Sequence, residues 1–161
     1  MTITNTNLLY VGTSTNFTIT PTVKIPCLFS EGAKIPRRQH HTDAGADLFS
    51  ITTTSIYPGE QAMVDTGVAV KIPPGHGGFV FNRSSQGKQG VTIPHSVGVI
   101  DSDYRGTIKV ILKNTGDEPY KIEAGVTRIA QLVIMPVITA EFVDTWNDTQ
   151  RGTGGFGSTG T

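Results

Sequence analysis

The chain has 161 residues, with Lys plus Arg at 13 and Asp plus Glu at 13, so its formal net charge is zero. That length suits one domain able to bury its own core, and the charge balance argues against a general nucleic-acid binder or an anionic-membrane binder. The single Cys27 excludes an intramolecular disulfide framework and a Cys-rich zinc site, and no apolar run reaches the roughly 18–20 residues of a bilayer span.

The first ten residues, MTITNTNLLY, carry no basic n-region and no sustained apolar stretch, so they do not read as a signal peptide. A cytoplasmic location is the expectation, and the sequons at Asn16, Asn82 and Asn147 read as chance. Residues 1–22 are rich in Thr and Asn and hold no charged side chain. They read as an extension outside the core or as an ordered arm packed on a neighbour; Thr favours strands, and the sequence does not choose.

From residue 23 the text reads as short strands and turns. Val23, Ile25 and Cys27 are spaced by two; Val64, Val68 to Val70, Phe79 and Phe81 continue the pattern. Ile108, Val110 and Leu112 alternate with Thr107, Lys109 and Lys113, giving one buried and one wetter face, though Ile111 interrupts the polar one. Pro58-Gly59, Pro73-Pro74-Gly75, Gly87 to Gly90, Asn114-Thr115-Gly116 and Ala124-Gly125 mark turns. No segment of helical length shows a 3.6-residue stripe. Residues 126–139 are mostly apolar, but Val, Ile and Pro136 favour strand over helix. The prediction is an all-β domain over 23–150, a barrel or jelly-roll-like closure of many strands. Residues 151–161 form a tail, RGTGGFGSTGT, in which five of eleven residues are Gly. Glycine loses too much backbone entropy for such a tail to fold alone. It is a disordered end or a flap that orders on a ligand.

Five places could carry chemistry. In GVIDSDYRG, 98–106, apolar residues lead into Asp101, Asp103, Tyr104 and Arg105. An ordinary Asp-rich hairpin turn fits that pattern. So does a general base, because a carboxylate within about 3 Å of a water can take its proton. The Tyr104 ring offers an apolar face to a sugar. The tail places Gly152, Gly154, Gly155 and Gly157 among Thr153, Ser158 and Thr159, a composition suited to an anion nest but lacking the Lys of a phosphate-binding P-loop. Arg151 adds a fork for phosphate, and Phe156 is an aromatic able to close over a base. Arg83 beside Ser84 and Ser85 suits a phosphate oxygen or an ordinary polar turn. In RIAQL, 128–132, strict alternation places Arg128 and Ala130 on one face and Ile129 and Gln131 on the other; Gln131 then needs a backbone or ligand partner. In AGADL, 44–48, small residues allow close approach and Asp47 could hold a water on a divalent ion. His40 and His41 read as solvated turn residues, and no three-ligand metal cage can be drawn. Mg²⁺ held mainly by phosphates and waters would suit these residues best.

Together AGADL at 44–48, RSSQG at 83–87, GVIDSDYRG at 98–106, RIAQL at 128–132 and RGTGGFGSTG at 151–160 resemble, in order and spacing, the motifs of the trimeric dUTPase family. VKIPCLFSEGAKIPRR, ahead of the first motif, also resembles that family's N-terminal strand region. The likeness spans residues 23–160. It implies hydrolysis of dUTP to dUMP and pyrophosphate with Mg²⁺ assisting, and a jelly-roll-type β-barrel assembled as a homotrimer with composite sites and an exchanged C-terminal arm hinged at Pro136. By resemblance, Asp101 activates the attacking water and Tyr104 stacks on deoxyribose and excludes a 2′-OH. His95 and the backbone of Gly98, Val99 and Ile100 lie at the uracil. Arg83, Ser84, Ser85 and Gln131 lie at the phosphates, and Asp47 holds Mg²⁺ through water. The tail closes with Phe156, between Gly155 and Gly157, over the base and with Arg151, Ser158 and Thr159 near the phosphates.

Two positions depart from the family pattern. Ser85 stands where the family usually has Gly, and His95 where many bacterial members have Asn. Arg-Ser-Ser also occurs in the related dCTP deaminases, which need a catalytic Glu where this chain has Ile111. A deaminase is therefore the poorer reading. A non-catalytic regulatory barrel is the other alternative, opposed by the presence of Asp101, Tyr104 and the tail. The role of residues 1–22 and any protein inhibitor or partner are open.

Overall fold

Eleven strands and one short helix follow one another along the residues described by this computed structural model, 23–149 and 152–154. They are β1 (Cys27–Phe29), β2 (Ala46–Phe49), β3 (Thr54–Ile56), β4 (Gln61–Asp65), β5 (Val68–Val70), β6 (His76–Phe81), α1 (Ser84–Lys88), β7 (Val91–Thr92), β8 (Gly98–Ile100), β9 (Lys109–Asn114), β10 (Tyr120–Ile122) and β11 (Arg128–Pro136). The extension 1–22 lies outside the described residues, as do tail positions Arg151, Gly155, Phe156, Gly157, Ser158 and Thr159.

Alternation in sequence becomes alternation in burial because successive strand side chains point to opposite faces. In β9, Val110 and Leu112 are buried while Lys109 is exposed, and the same phase buries Ile108 just ahead of the strand. β9 pairs antiparallel with β4, setting Val64 opposite Val110. All pairings are antiparallel and fall into four sheets, ordered β1-β5, β3-β10, β2-β11-β6-β8 and β4-β9-β7. All four feed one apolar cluster: Val68 and Val70 from the first, Ile56 and Ile122 from the second, Leu48 and Leu132 from the third, Val64 and Leu112 from the fourth. Each such side chain removed from water contributes roughly 1.5–3 kcal/mol, so the core rather than any single sheet holds the chain together.

Buried polar groups are tied off where sheets meet. Asn114 donates from Nδ2 to the Ile56 and Glu118 carbonyls, each at 2.8 Å, and its Oδ1 accepts from Gly116 N at 2.9 Å. The Asn114-Thr115-Gly116 turn is thereby fastened to β3. Gly90 is left-handed (φ +75°), and a Cβ there would meet Gly116 N at 2.6 Å, so only glycine fits against that turn. Cys27 is half-buried, and burial pushes its thiol pKa up. Among the described residues no helix is long and apolar enough to cross a membrane.

Three local expectations change. Residues 84–88 are helical rather than a turn; the carbonyl of Arg83 accepts from both Gln86 N and Gly87 N at 3.0 Å. Val23 and Ile25 precede the first strand, which begins only at Cys27. β11 does not alternate strictly. Its register against β2 shifts between Arg128 and Ala130, where Ile129 is the extra residue. A bulge of this kind resets which face a side chain takes. Beyond Pro136 the chain runs on without a strand to residue 149, with Ile138, Phe142 and Trp146 each more than 90% exposed.

Candidate active site

β11 is the strand that assembles the first cluster. Gln131 pairs with Asp47 of β2 on one side and with Phe81 of β6 on the other. Asp47, the entry to α1 and Gln131 therefore meet at one end of the sheet, bordering a cleft of about 390 Å³. Because of the bulge, Arg128 and Gln131, three residues apart, share this cleft instead of taking the opposite faces that alternation predicts.

Charges in the cleft are paired. Arg83 Nε donates to Asp47 Oδ1 at 2.8 Å, and Arg128 Nη1 to Asp47 Oδ2 at 3.3 Å. The Asp47 side chain is only 14% exposed, so water screens these pairs less than it would on an open surface. Arg83 Nη1 also donates to Ser85 Oγ at 3.2 Å. Gln131 Nε2 donates to the Asn82 carbonyl at 3.0 Å, and a Cβ on Gly45 would sit 2.7 Å from Gln131 Oε1. The rim loop is held by Arg38, whose Nε donates to the Asp43 carbonyl at 2.8 Å, and by His40 N, which donates to Asp43 Oδ2 at 2.8 Å. Asp47 itself is fixed by a bridge to Arg37, with Asp47 N donating to Arg37 O at 2.8 Å.

The second cluster follows β8. Asp101 is exposed at the start of a turn in which Tyr104 N donates to the Asp101 carbonyl at 3.2 Å. Tyr104 is 41% exposed, and its hydroxyl donates to the Thr107 carbonyl at 3.1 Å, which fixes the ring. Gly106 leaves that ring room: a Cβ there would meet Tyr104 Cζ at 2.7 Å. Arg105 folds back, donating from Nη1 to the Ser102 and Tyr104 carbonyls at 2.8 Å each. Ahead of β8, the turn at Ser96 takes a positive φ of 69°, and the His95 ring nitrogen Nδ1 lies 3.1 Å from the Val97 carbonyl. β8 is the edge of its sheet, so its outer backbone groups have no strand partner among the described residues.

The two clusters do not meet within one chain. Ile100 pairs with Gly78 and Gln131 with Phe81. These partners lie three residues apart along β6, about 10 Å, and β8 and β11 flank β6 on opposite sides, about 10 Å more across the sheet. The chain then carries Asp101 further from Phe81 and Arg83 further from Gly78. Of the sequence-derived candidates, Asp47, Arg83, Ser84, Ser85 and Gln131 are brought together, His95, Gly98, Val99, Ile100, Asp101 and Tyr104 lie in the other group, and Arg151 with the rest of the tail motif falls outside the described residues. Arg128 and Gly45 also line the cleft, though the sequence marks them only as members of the RIAQL and AGADL motifs. The signal that would have found Arg128 is that it is the sole charged residue of β11 and stands at its head.

A family model described as dUTPase matches residues 31–160. The deoxyuridine 5′-triphosphate nucleotidohydrolase of Cutibacterium acnes is 47% identical over 146 residues, covering 88% of this chain and 91% of that protein. A mutant dUTPase of Staphylococcus bacteriophage 80alpha, solved with dUpNHpp, is 33% identical with a TM-score of 0.77, over 87% of this chain and all of its own. A mutant dUTPase from phage phi11 of S. aureus, described with a coordinated structural Mg(II) ion, is 31% identical with a TM-score of 0.71, over 77% of this chain and 97% of its own. The chain belongs to the dUTPase family, and its all-β fold is that of this enzyme family.

Proposed function

We propose that the chain hydrolyses dUTP to dUMP and pyrophosphate as a homotrimeric jelly-roll barrel whose sites each draw on more than one subunit. The observation that carries the composite site is the separation of Asp101 from the Arg83 and Gln131 cleft by the register of β6. A base must lie within about 3 Å of the water it activates, so the Asp101 turn of one copy serves the cleft of another. The run of exposed Ile138, Phe142 and Trp146 supports an arm that crosses to a neighbour, since large apolar side chains gain stability only by leaving water.

In this reading Asp101 takes a proton from water as the oxygen attacks the α-phosphorus, and pyrophosphate leaves. Arg83, Ser84 and Gln131 hold the phosphate chain. Arg83 uses Nε and Nη1 on Asp47 and Ser85 and keeps its remaining N–H groups for phosphate oxygens. The outer edge of β8, without a strand partner among the described residues, reads the uracil through backbone groups. The fixed Tyr104 ring covers the deoxyribose and fills the space of a 2′-OH. Residues 151–161 close over the nucleotide.

The cleft fits a Mg²⁺ whose inner shell is phosphate and water. Among the described residues no group of three or more His, Cys, Asp or Glu could hold a metal ion, and both Asp47 oxygens are engaged by arginines. Asp47 would hold a water of the ion. When bound, Mg²⁺ neutralises charge on the triphosphate.

The test is pyrophosphate release from dUTP, dCTP, UTP and dTTP, with ammonia measured alongside. Turnover is expected with dUTP, and Asp101→Ala should lower kcat by about 10²–10⁴-fold. Ammonia from dCTP, or a wild-type protein without turnover, would overturn the reading.

A further inference from the structure

We propose that Ser85 is a positioning residue that aims Arg83 at the phosphate chain. The inference rests on the reading of Arg83 as a phosphate ligand given above. The Arg83 guanidinium is held at two different nitrogens, Nε by Asp47 at 2.8 Å and Nη1 by Ser85 Oγ at 3.2 Å. With the Asp47 contact alone, the plane can still rock about a single anchor. A second anchor at Nη1 fixes both its direction and its tilt, and a planar fork recognises phosphate only when so aligned.

The backbone makes Ser85 a rigid post. It sits in the first turn of α1, which Arg83 itself begins by accepting hydrogen bonds from Gln86 N and Gly87 N. Gln86 beneath it is buried, donating from Nε2 to the Tyr120 hydroxyl at 3.2 Å and accepting from Arg83 N at 3.3 Å. Ser85 itself is exposed, so its hydroxyl can be removed without opening the core. A glycine at this position would supply no such anchor.

The experiment is a double-mutant cycle between Ser85→Ala and Arg83→Ala, read as the calorimetric affinity of each protein for pyrophosphate, with KM and kcat for dUTP and inhibition by pyrophosphate and by 2′-deoxyuridine measured for the wild type and Ser85→Ala. Ser85→Ala should raise KM and weaken pyrophosphate inhibition by about three- to tenfold, the worth of one hydrogen bond. kcat should stay within about twofold, as for lost ground-state binding, and deoxyuridine inhibition and melting temperature should not change. Ser85→Thr should restore the wild-type values. In the Arg83→Ala background, Ser85→Ala should add nothing. An equal loss in that background means that Ser85 meets the phosphate directly and overturns the proposal, as does an unchanged KM in Ser85→Ala. If Arg83→Ala alone leaves pyrophosphate binding intact, the phosphate reading of Arg83 falls, and the proposal with it.

Discussion

The two clusters on either side of β6 present their polar side chains in opposite ways. On the β11 side, Asp47, Arg83 and Arg128 are locked to one another by charge-assisted contacts of 2.8 and 3.3 Å on a carboxylate that is nearly out of water. On the β8 side, Asp101 lies open in a turn pinned through backbone carbonyls and the Tyr104 hydroxyl. A cleft for a highly charged phosphate chain gains from groups fixed beforehand, because little reorganisation remains when substrate arrives. If Asp101 serves a neighbouring copy, as proposed, its carboxylate gains from exposure. On the proposed function, the contrast is between a cluster finished within the chain and a cluster finished by assembly.

The largest effect tests that contrast directly. Asp101→Ala and Arg83→Ala should each be nearly inactive alone. Co-assembled in equal amounts they should recover about a quarter of wild-type turnover, the share of shared sites that random assortment in a ring leaves intact. No recovery would mean that each chain builds its site alone. A smaller effect belongs to the exposed cluster: Tyr104→Ala should narrow the preference for dUTP over UTP by about tenfold, within what a pocket gains against an added hydroxyl. The ratio of kcat/KM values measures it, and an unchanged ratio places the sugar filter elsewhere. The smallest belongs to the locked cluster. Gly45→Ala puts a Cβ within 2.7 Å of Gln131 Oε1, and the displaced amide should raise KM for dUTP by about two- to fivefold while the Tyr104-dependent preference stays intact.

Much of this was legible in the sequence because it is local. The strands β9 and β11 announce themselves by β-branched residues and period-two burial, and the turn glycines and prolines mark their ends. Four of the five motifs lie in the two clusters, and most of the fifth, the tail, lies outside the described residues. The division between two sides of β6 was not legible, since it depends on the pairings Gly78 with Ile100 and Phe81 with Gln131, which no local pattern encodes. Helix α1 was missed because five residues, SSQGK, are too short to show a helical stripe and include a glycine. The placement of Arg128 was missed because one extra residue, Ile129, changes the phase of the strand. Its partner Asp47 is 81 residues away, and Arg83 lies 36 from the same carboxylate. Pairings at such distances are made by folding of the whole domain.

The register of β6 against its two neighbours has a consequence, on the proposed function, for how activity would scale with concentration. The pairings of Gly78 with Ile100 and of Phe81 with Gln131 hold Asp101 and the Arg83 cleft of one chain well apart. On the proposed assembly a lone subunit is then inert by construction, and catalysis begins only when copies meet. A nucleotide lying across the join contacts more than one chain, so substrate itself would act as a clamp that favours the assembled over the dissociated form. Dilution and starvation for substrate would thus silence the protein by the same route.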